Sequence, residues 1–143
     1  MMAIICAIIS GISMSLQGVF NTRLGEKIGT WETNVLVQAS GLVLTLIILM
    51  FFGKGNFKNI KDTNKLYLLG GIIGVIIIFT VMKSIGSMGA TYGIAIILVA
   101  QLLSAAAIDA FGLFGSERIP FNAKEFIGVG IMILGILIFK WRG

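Results

Sequence analysis

Three glutamines, Gln17, Gln38 and Gln101, interrupt stretches of sequence that are otherwise apolar, and Ser13, Asn21 and Tyr92 lie on or beside the same stretches. Amides and hydroxyls hold a solute by donating and accepting hydrogen bonds, and without a base beside them they do not attack it. One acid, Asp109, lies inside such a stretch, and one base, Lys83, ends another. The chain has no histidine and a single cysteine, Cys6, within an apolar run. That inventory assembles no nucleophile–base pair, zinc set, haem ligation or disulfide. Its chemistry is recognition, so no enzyme, metal or cofactor is expected.

The elements that position these residues must lie in lipid. Of 143 residues, 57% are hydrophobic and 12% charged, with mean hydropathy +1.04. Soluble domains carry about a quarter charged residues, and a core of this length could not hide so much apolar surface. Five nearly uncharged stretches stand out, at 2–21, 33–53, 66–82, 92–114 and 126–139. A helix crosses the hydrocarbon with roughly 20 residues. The expected fold is therefore an all-α integral membrane protein: a single domain, 1–143, of five transmembrane helices near 2–21, 32–53, 66–84, 91–114 and 122–141. The fifth stretch is short, but Asn122, Lys124, Glu125 and Lys140 can sit at headgroup depth. Asn122 and Glu125, just after Pro120, have the spacing of a capping box. The stretches lack the polar–apolar alternation of barrel strands. The first has no basic leader or small-residue cleavage site, so it reads as a retained span rather than a signal peptide.

Polar groups inside a span are costly and are functional candidates for that reason. Gln101 falls near the middle of the fourth span, and Gln17 and Gln38 at similar depth in two antiparallel spans. If the side carrying the N-terminus is A and the opposite side B, Asn21 and Asn34 lie closer to side B, where Tyr92 begins the fourth span. Ser10, Ser13, Gln17 and Asn21 form one stripe at helical spacing. These positions describe a polar vestibule open toward side B, with Gln17 and Gln101 near its floor and Trp31 at its border. The competing reading is interhelical hydrogen bonding that only holds a bundle together.

Asp109 has three readings: a proton-coupling or cation-binding carboxylate, a structural ion-pair partner, or an acid that reaches headgroup water. Lys83 ends the third span on side B, a membrane thickness from Asp109 in one subunit. An inverted second subunit would return its own Lys83 to the leaflet of Asp109.

Orientation is undetermined by charge. Side A receives Lys54, Lys58, Lys61, Lys65, Arg118 and Lys124, and side B receives Arg23, Lys27, Lys83, Lys140 and Arg142. The Lys/Arg bias of short loops normally sets topology, and six against five is a weak bias. It leaves open a fixed topology with the four-lysine loop cytoplasmic, or dual insertion and pairing with an inverted copy. The net charge of +5 fits loops near anionic lipid rather than nucleic acid. Gly70-x-x-x-Gly74, Gly89-x-x-x-Gly93 and Gly11-x-x-x-Ser15 have the spacing of close helix contacts.

These residues resemble a known family. Gln17-Gly18-x-x-Asn21-x-x-Leu24-Gly25 is similar to the first-span signature of the YdcZ-like proteins of the drug/metabolite transporter superfamily. Gln101-Leu102-Leu103-Ser104, followed by Asp109-x-x-Gly112-Leu113-Phe114-Gly115, resembles the fourth-span signature. Gly70-Gly71-x-x-Gly74 and Gly128 with Gly135 are compatible with the pattern. The resemblance implies a five-helix half of a ten-helix inverted-repeat transporter, completed by an antiparallel homodimer or a homologous subunit. It implies a bacterial inner-membrane location and alternating-access transport of a small organic solute at the subunit interface, near mid-depth. The expected substrate-binding residues are Ser13, Gln17, Asn21, Gln38, Tyr92 and Gln101. Asp109 and Lys83 are expected as a coupling or inter-subunit pair. One departure is that the first span has no acid where the related small multidrug transporters place a glutamate; Gln17 lies in that span instead. Rival readings are a channel-like leak pathway and a non-transporting accessory subunit.

Overall fold

The computed structural model describes residues 1–141, so Arg142, one of the five cations assigned to side B, lies outside the described residues. The described chain is all helical, without strands. Its long helices are α1 (Met2–Ile28), α2 (Thr30–Phe52), α3 (Gly70–Met88), α4 (Ala90–Phe111) and α5 (Ala123–Lys140). The segments around α1, α2, α3 and α4 are long and apolar enough to cross a membrane, the third counted from Lys65. The 18 residues of α5 include Lys124, Glu125 and Lys140, so its apolar part is shorter.

The helices outrun the apolar stretches because their stop signals are single glycines. Gly29 separates α1 from α2 at φ 105°, and Gly89 separates α3 from α4 at φ 81°. Such angles are open to glycine and strained for other residues. Gly29 also bridges the turn through its backbone: its N–H donates to the Gly25 carbonyl at 3.0 Å, and its carbonyl accepts from the Thr33 N–H at 3.1 Å. The connections expected at 22–32 and 83–91 are thus largely helical. Lys83 consequently lies within α3 rather than at its end.

The lysine-rich connection between α2 and α3 folds into two short 3₁₀ turns, Phe57–Asp62 and Lys65–Leu69. The Asn56 and Asn64 side chains start them, accepting from Lys58 N–H at 2.9 Å and Leu66 N–H at 3.0 Å. This is the ordinary use of asparagine at a helix N-cap. The capping box at the start of α5 forms as its spacing predicts, with the Asn122 N–H donating to the Glu125 carboxylate at 2.9 Å.

The chain divides after Gly86 into two compact units. In the first, α1 packs against α2, and Ile78, Met82 and Ile85 of α3 are buried. In the second, α4 packs against α5, with Val99 and Val129 buried. Most other large apolar side chains are exposed, as helices solvated by lipid permit.

In the first unit the tightest glycine contacts between helices lie outside the anticipated pairs. A Cβ on Gly18 would lie 2.8 Å from Ile85 Cδ1 and 3.1 Å from Val81 Cγ1, and one on Gly25 would collide with Met82 Cε. Gly18 and Gly25, both in the first-span signature, are therefore seats for α3. Of the anticipated pairs, Gly11 and Gly70 have open space around them, and Gly89 belongs to a turn. Gly74 does meet a neighbour, the Gln38 amide.

Candidate functional site

In the first unit, α2 and α3 are joined along one seam. Trp31 stacks on Phe79 with ring centroids 4.8 Å apart and planes at 17°. Lys83 Nζ lies 5.8 Å from the centroid of the same Phe79 ring. Farther along α2, Asn34 Nδ2 donates to the Val75 carbonyl at 2.9 Å. Next comes Gln38, whose Nε2 would be 3.3 Å from a Cβ on Gly74. Residues 31, 34 and 38 recur at helical spacing, which puts them on one face of α2. Asn34 is 3% exposed, so its amide acts as a tie between helices.

The polar stripe of α1 has two different ends. Ser13 and Gln17 are exposed on the single chain. Asn21 is 6% exposed, yet its side chain makes no hydrogen bond with another described residue. Thr22 and Thr33, also buried, were not signalled as structural by the sequence. Thr22 Oγ1 donates to the Gly18 carbonyl and Thr33 Oγ1 to the Gly29 carbonyl, each at 2.8 Å. Ser15, Thr45, Thr80 and Ser104 likewise donate to a carbonyl one turn back. A hydroxyl in an apolar setting satisfies itself this way on its own helix. A glutamine is too long for that habit, which is why Gln17, Gln38 and Gln101 are the conspicuous groups.

In the second unit, Gln101 is exposed on α4. Tyr92 is half-buried near the start of α4, and Lys140 Nζ lies 5.1 Å from its ring centroid. Asp109 is half-buried in the last turn of α4. Gly112, in the left-handed conformation at φ 61°, stops the helix there. The Asp109 carbonyl accepts from Ile119 N–H at 2.9 Å, and Arg118 Nε donates to the Ala110 carbonyl at 3.1 Å. A guanidinium over the last carbonyls complements the negative end of the helix dipole. Asp109 is thus closer to the end of its helix than the apolar run suggests. The glycines after it belong to a helix stop that the sequence pattern did not reveal as such.

A family model described as "Putative inner membrane exporter, YdcZ" matches residues 2–138. The chain belongs to the YdcZ family. It is a multi-pass inner-membrane protein. The family is named for export rather than for any class of enzyme. Within this YdcZ-family chain, both signature segments have a structural reading: one seats α3 on Gly18 and Gly25, and the other ends α4 at Gly112. No curated protein and no solved structure matches the chain.

Proposed function

We propose that this chain is one half of a secondary-type exporter of a small organic solute. Five spans from each of two antiparallel copies build the transporter, and the solute binds at the subunit interface. The observation that carries the reading is that Ser13, Gln17, Gln38 and Gln101 are all exposed on the single chain, on helices suited to lipid. Amide groups left facing hydrocarbon are costly; a second subunit and a water-filled path between the two would cover them. Asn21 adds hydrogen-bonding capacity that no other described residue takes up, Tyr92 adds a phenol, and Trp31 borders the entrance. A neutral lining of this kind suits polar or zwitterionic solutes.

The family description supports export as the direction. The near-even Lys/Arg count supports dual insertion, and five spans of one chain would then supply the inverted repeat. Asp109 meets the partner's Lys83 in this arrangement. The test is a thermal-shift screen of solute classes on purified protein, repeated with Gln101→Leu. Stabilisation by one class, lost in the variant, supports the reading. Equal stabilisation of both proteins by every class tested overturns it.

The accessory-subunit reading draws on Asn34, whose amide nitrogen joins two helices. Gln17 and Gln101 differ from it in being exposed.

A further inference from the structure

Two recesses in the second unit share Tyr92. The larger, about 620 Å³, is lined by Ser87, Gly89, Thr91, Tyr92, Phe139 and Lys140 among others. Its one ionisable cation is Lys140, and no carboxylate lines it among the described residues. The hydroxyls of Ser87, Thr91 and Tyr92 add donors. The smaller recess, about 300 Å³, is an apolar groove between α4 and α5 lined by Ile96, Val99, Ala100, Leu103, Ile133 and Leu137 as well as Tyr92. A polar, cationic space and an apolar space thus border the same aromatic ring.

We propose that this pair of recesses is a binding site for an anionic phospholipid of the surrounding bilayer. The phosphate takes the Lys140 recess, and one acyl chain lies along the α4–α5 groove. Three features select this occupant. Lys140 closes α5 and is followed by the exposed Trp141, a pairing typical of headgroup depth. Among the described residues the recess has a cationic but no anionic lining, which favours an anionic over a zwitterionic headgroup. The groove borders the same Tyr92 ring, runs between α4 and α5, and offers only apolar contacts apart from the Tyr92 phenol. Held over the Tyr92 ring, the Lys140 ammonium is already oriented across the recess, so less freedom is lost when a phosphate arrives. The assignment uses one subunit and none of the glutamines, and it shares only Tyr92 with the proposed solute lining.

The test is native mass spectrometry of the purified full chain with dioleoyl phosphatidylglycerol or dioleoyl phosphatidylcholine, with thermal melts to check folding. Phosphatidylglycerol is expected to be retained about fivefold better, the size of effect one lysine exerts at a membrane surface. Lys140→Gln abolishes that preference and Lys140→Arg keeps it. Lys124→Gln, at the other end of α5, also keeps it. Ala100→Phe, which fills the groove, lowers retention of phosphatidylglycerol while its melt remains cooperative. An unchanged preference in Lys140→Gln overturns the proposal, as does an equal loss in Lys124→Gln, which would indicate general surface charge. Stabilisation by glycerol 3-phosphate equal to that by the lipid also overturns it, because the site would then bind a soluble anion without the groove.

Discussion

The Asn34 side chain reaches from α2 to α3 and donates a 2.9 Å hydrogen bond to the backbone carbonyl of Val75, 41 residues away in sequence. It does so while 3% exposed, next to the Trp31–Phe79 stack. A polar side chain has been committed to architecture here, and the contrast with the exposed glutamines organises the experiments below.

Replacing Asn34 with Leu removes that tie while keeping bulk. Intramembrane hydrogen bonds contribute about 0.6 kcal/mol on average and up to about 1.7 kcal/mol. Asn34→Leu is expected to lower unfolding stability in detergent by that amount, measured by denaturant or thermal unfolding. Solute binding should persist, because the side chain is buried between the helices and does not face the proposed path. Lost binding with unchanged stability would move Asn34 from the seam to the solute site.

Gly18 and Gly11 make a matched pair. A Cβ on Gly18 runs into Ile85 and Val81, whereas one on Gly11 meets open space within the single chain. Gly18→Ala is expected to cost about 1–3 kcal/mol through overpacking. Gly11→Ala should be neutral or gain up to about 1 kcal/mol of helix propensity. Should Gly11→Ala instead weaken dimerisation, measured by cross-linking, the Gly11 face belongs to the subunit interface.

These two cases mark what the sequence disclosed. The helices were legible because lipid demands long apolar runs, and the α5 capping box was legible because Asn122 and Glu125 act locally. The helix ends were not, since Gly29 and Gly89 sit inside polar segments that could equally have been loops. Of the glycines flagged by spacing, Gly74 meets Gln38 and Gly93 is buried, but Gly11 and Gly70 face open space. The tightest contacts between helices fall to Gly18 and Gly25, because spacing alone does not say which helix face meets a neighbour. Asn34 was visible as a polar residue, but its acceptor is a backbone carbonyl and every residue has one. The glutamines were recognisable by type and depth. Whether they converge is a matter of tertiary packing, which residue type and depth do not encode.

If Gln17, Gln38 and Gln101 line a shared path, each Gln→Leu change should weaken solute binding while leaving the fold intact. A hydrogen bond lost to a buried polar group corresponds to about 1–3 kcal/mol, or roughly 5- to 150-fold in affinity. Ser13→Ala should have the smallest effect, given the shorter reach of a hydroxyl. Transport into vesicles, measured beside a melting curve for each variant, separates a binding loss from a folding loss. Full transport by Gln17→Leu and Gln101→Leu together would remove the vestibule.

Dual insertion makes a prediction that needs no substrate. A C-terminal fusion to a reporter active only in the cytoplasm and a second fusion to one active only outside it should both give signal. Changing Lys58 and Lys61 to Gln lowers the side A cation count from six to four against five on side B. That should shift the population so that one reporter dominates, with side B cytoplasmic. A single active reporter in the unaltered chain would establish a fixed topology and make an inverted homodimer impossible.

Asp109 sits half-buried in the last turn of α4. Its backbone carbonyl is occupied by Ile119, and Arg118 bonds the neighbouring Ala110 carbonyl rather than the Asp109 carboxylate. The carboxylate therefore remains available in the last turn of α4, where a negative charge opposes the helix dipole. Lys83 is exposed, its ammonium near only the Phe79 ring among its described partners. In an antiparallel pair, each Asp109 would come level with the partner's Lys83, giving two symmetry-related ion pairs. Asp109→Lys and Lys83→Asp should each impair dimer formation by placing like charges together, and the combined variant should restore it. Dimer fraction in nanodiscs, followed by cross-linking, gives the result directly. A rescue confined to the double variant would identify the contact, since neither substitution alone can mimic a swapped pair. Singles that still dimerise, or a double variant that fails to rescue impaired singles, would leave Asp109 as a headgroup acid and Arg118 as the group that offsets it.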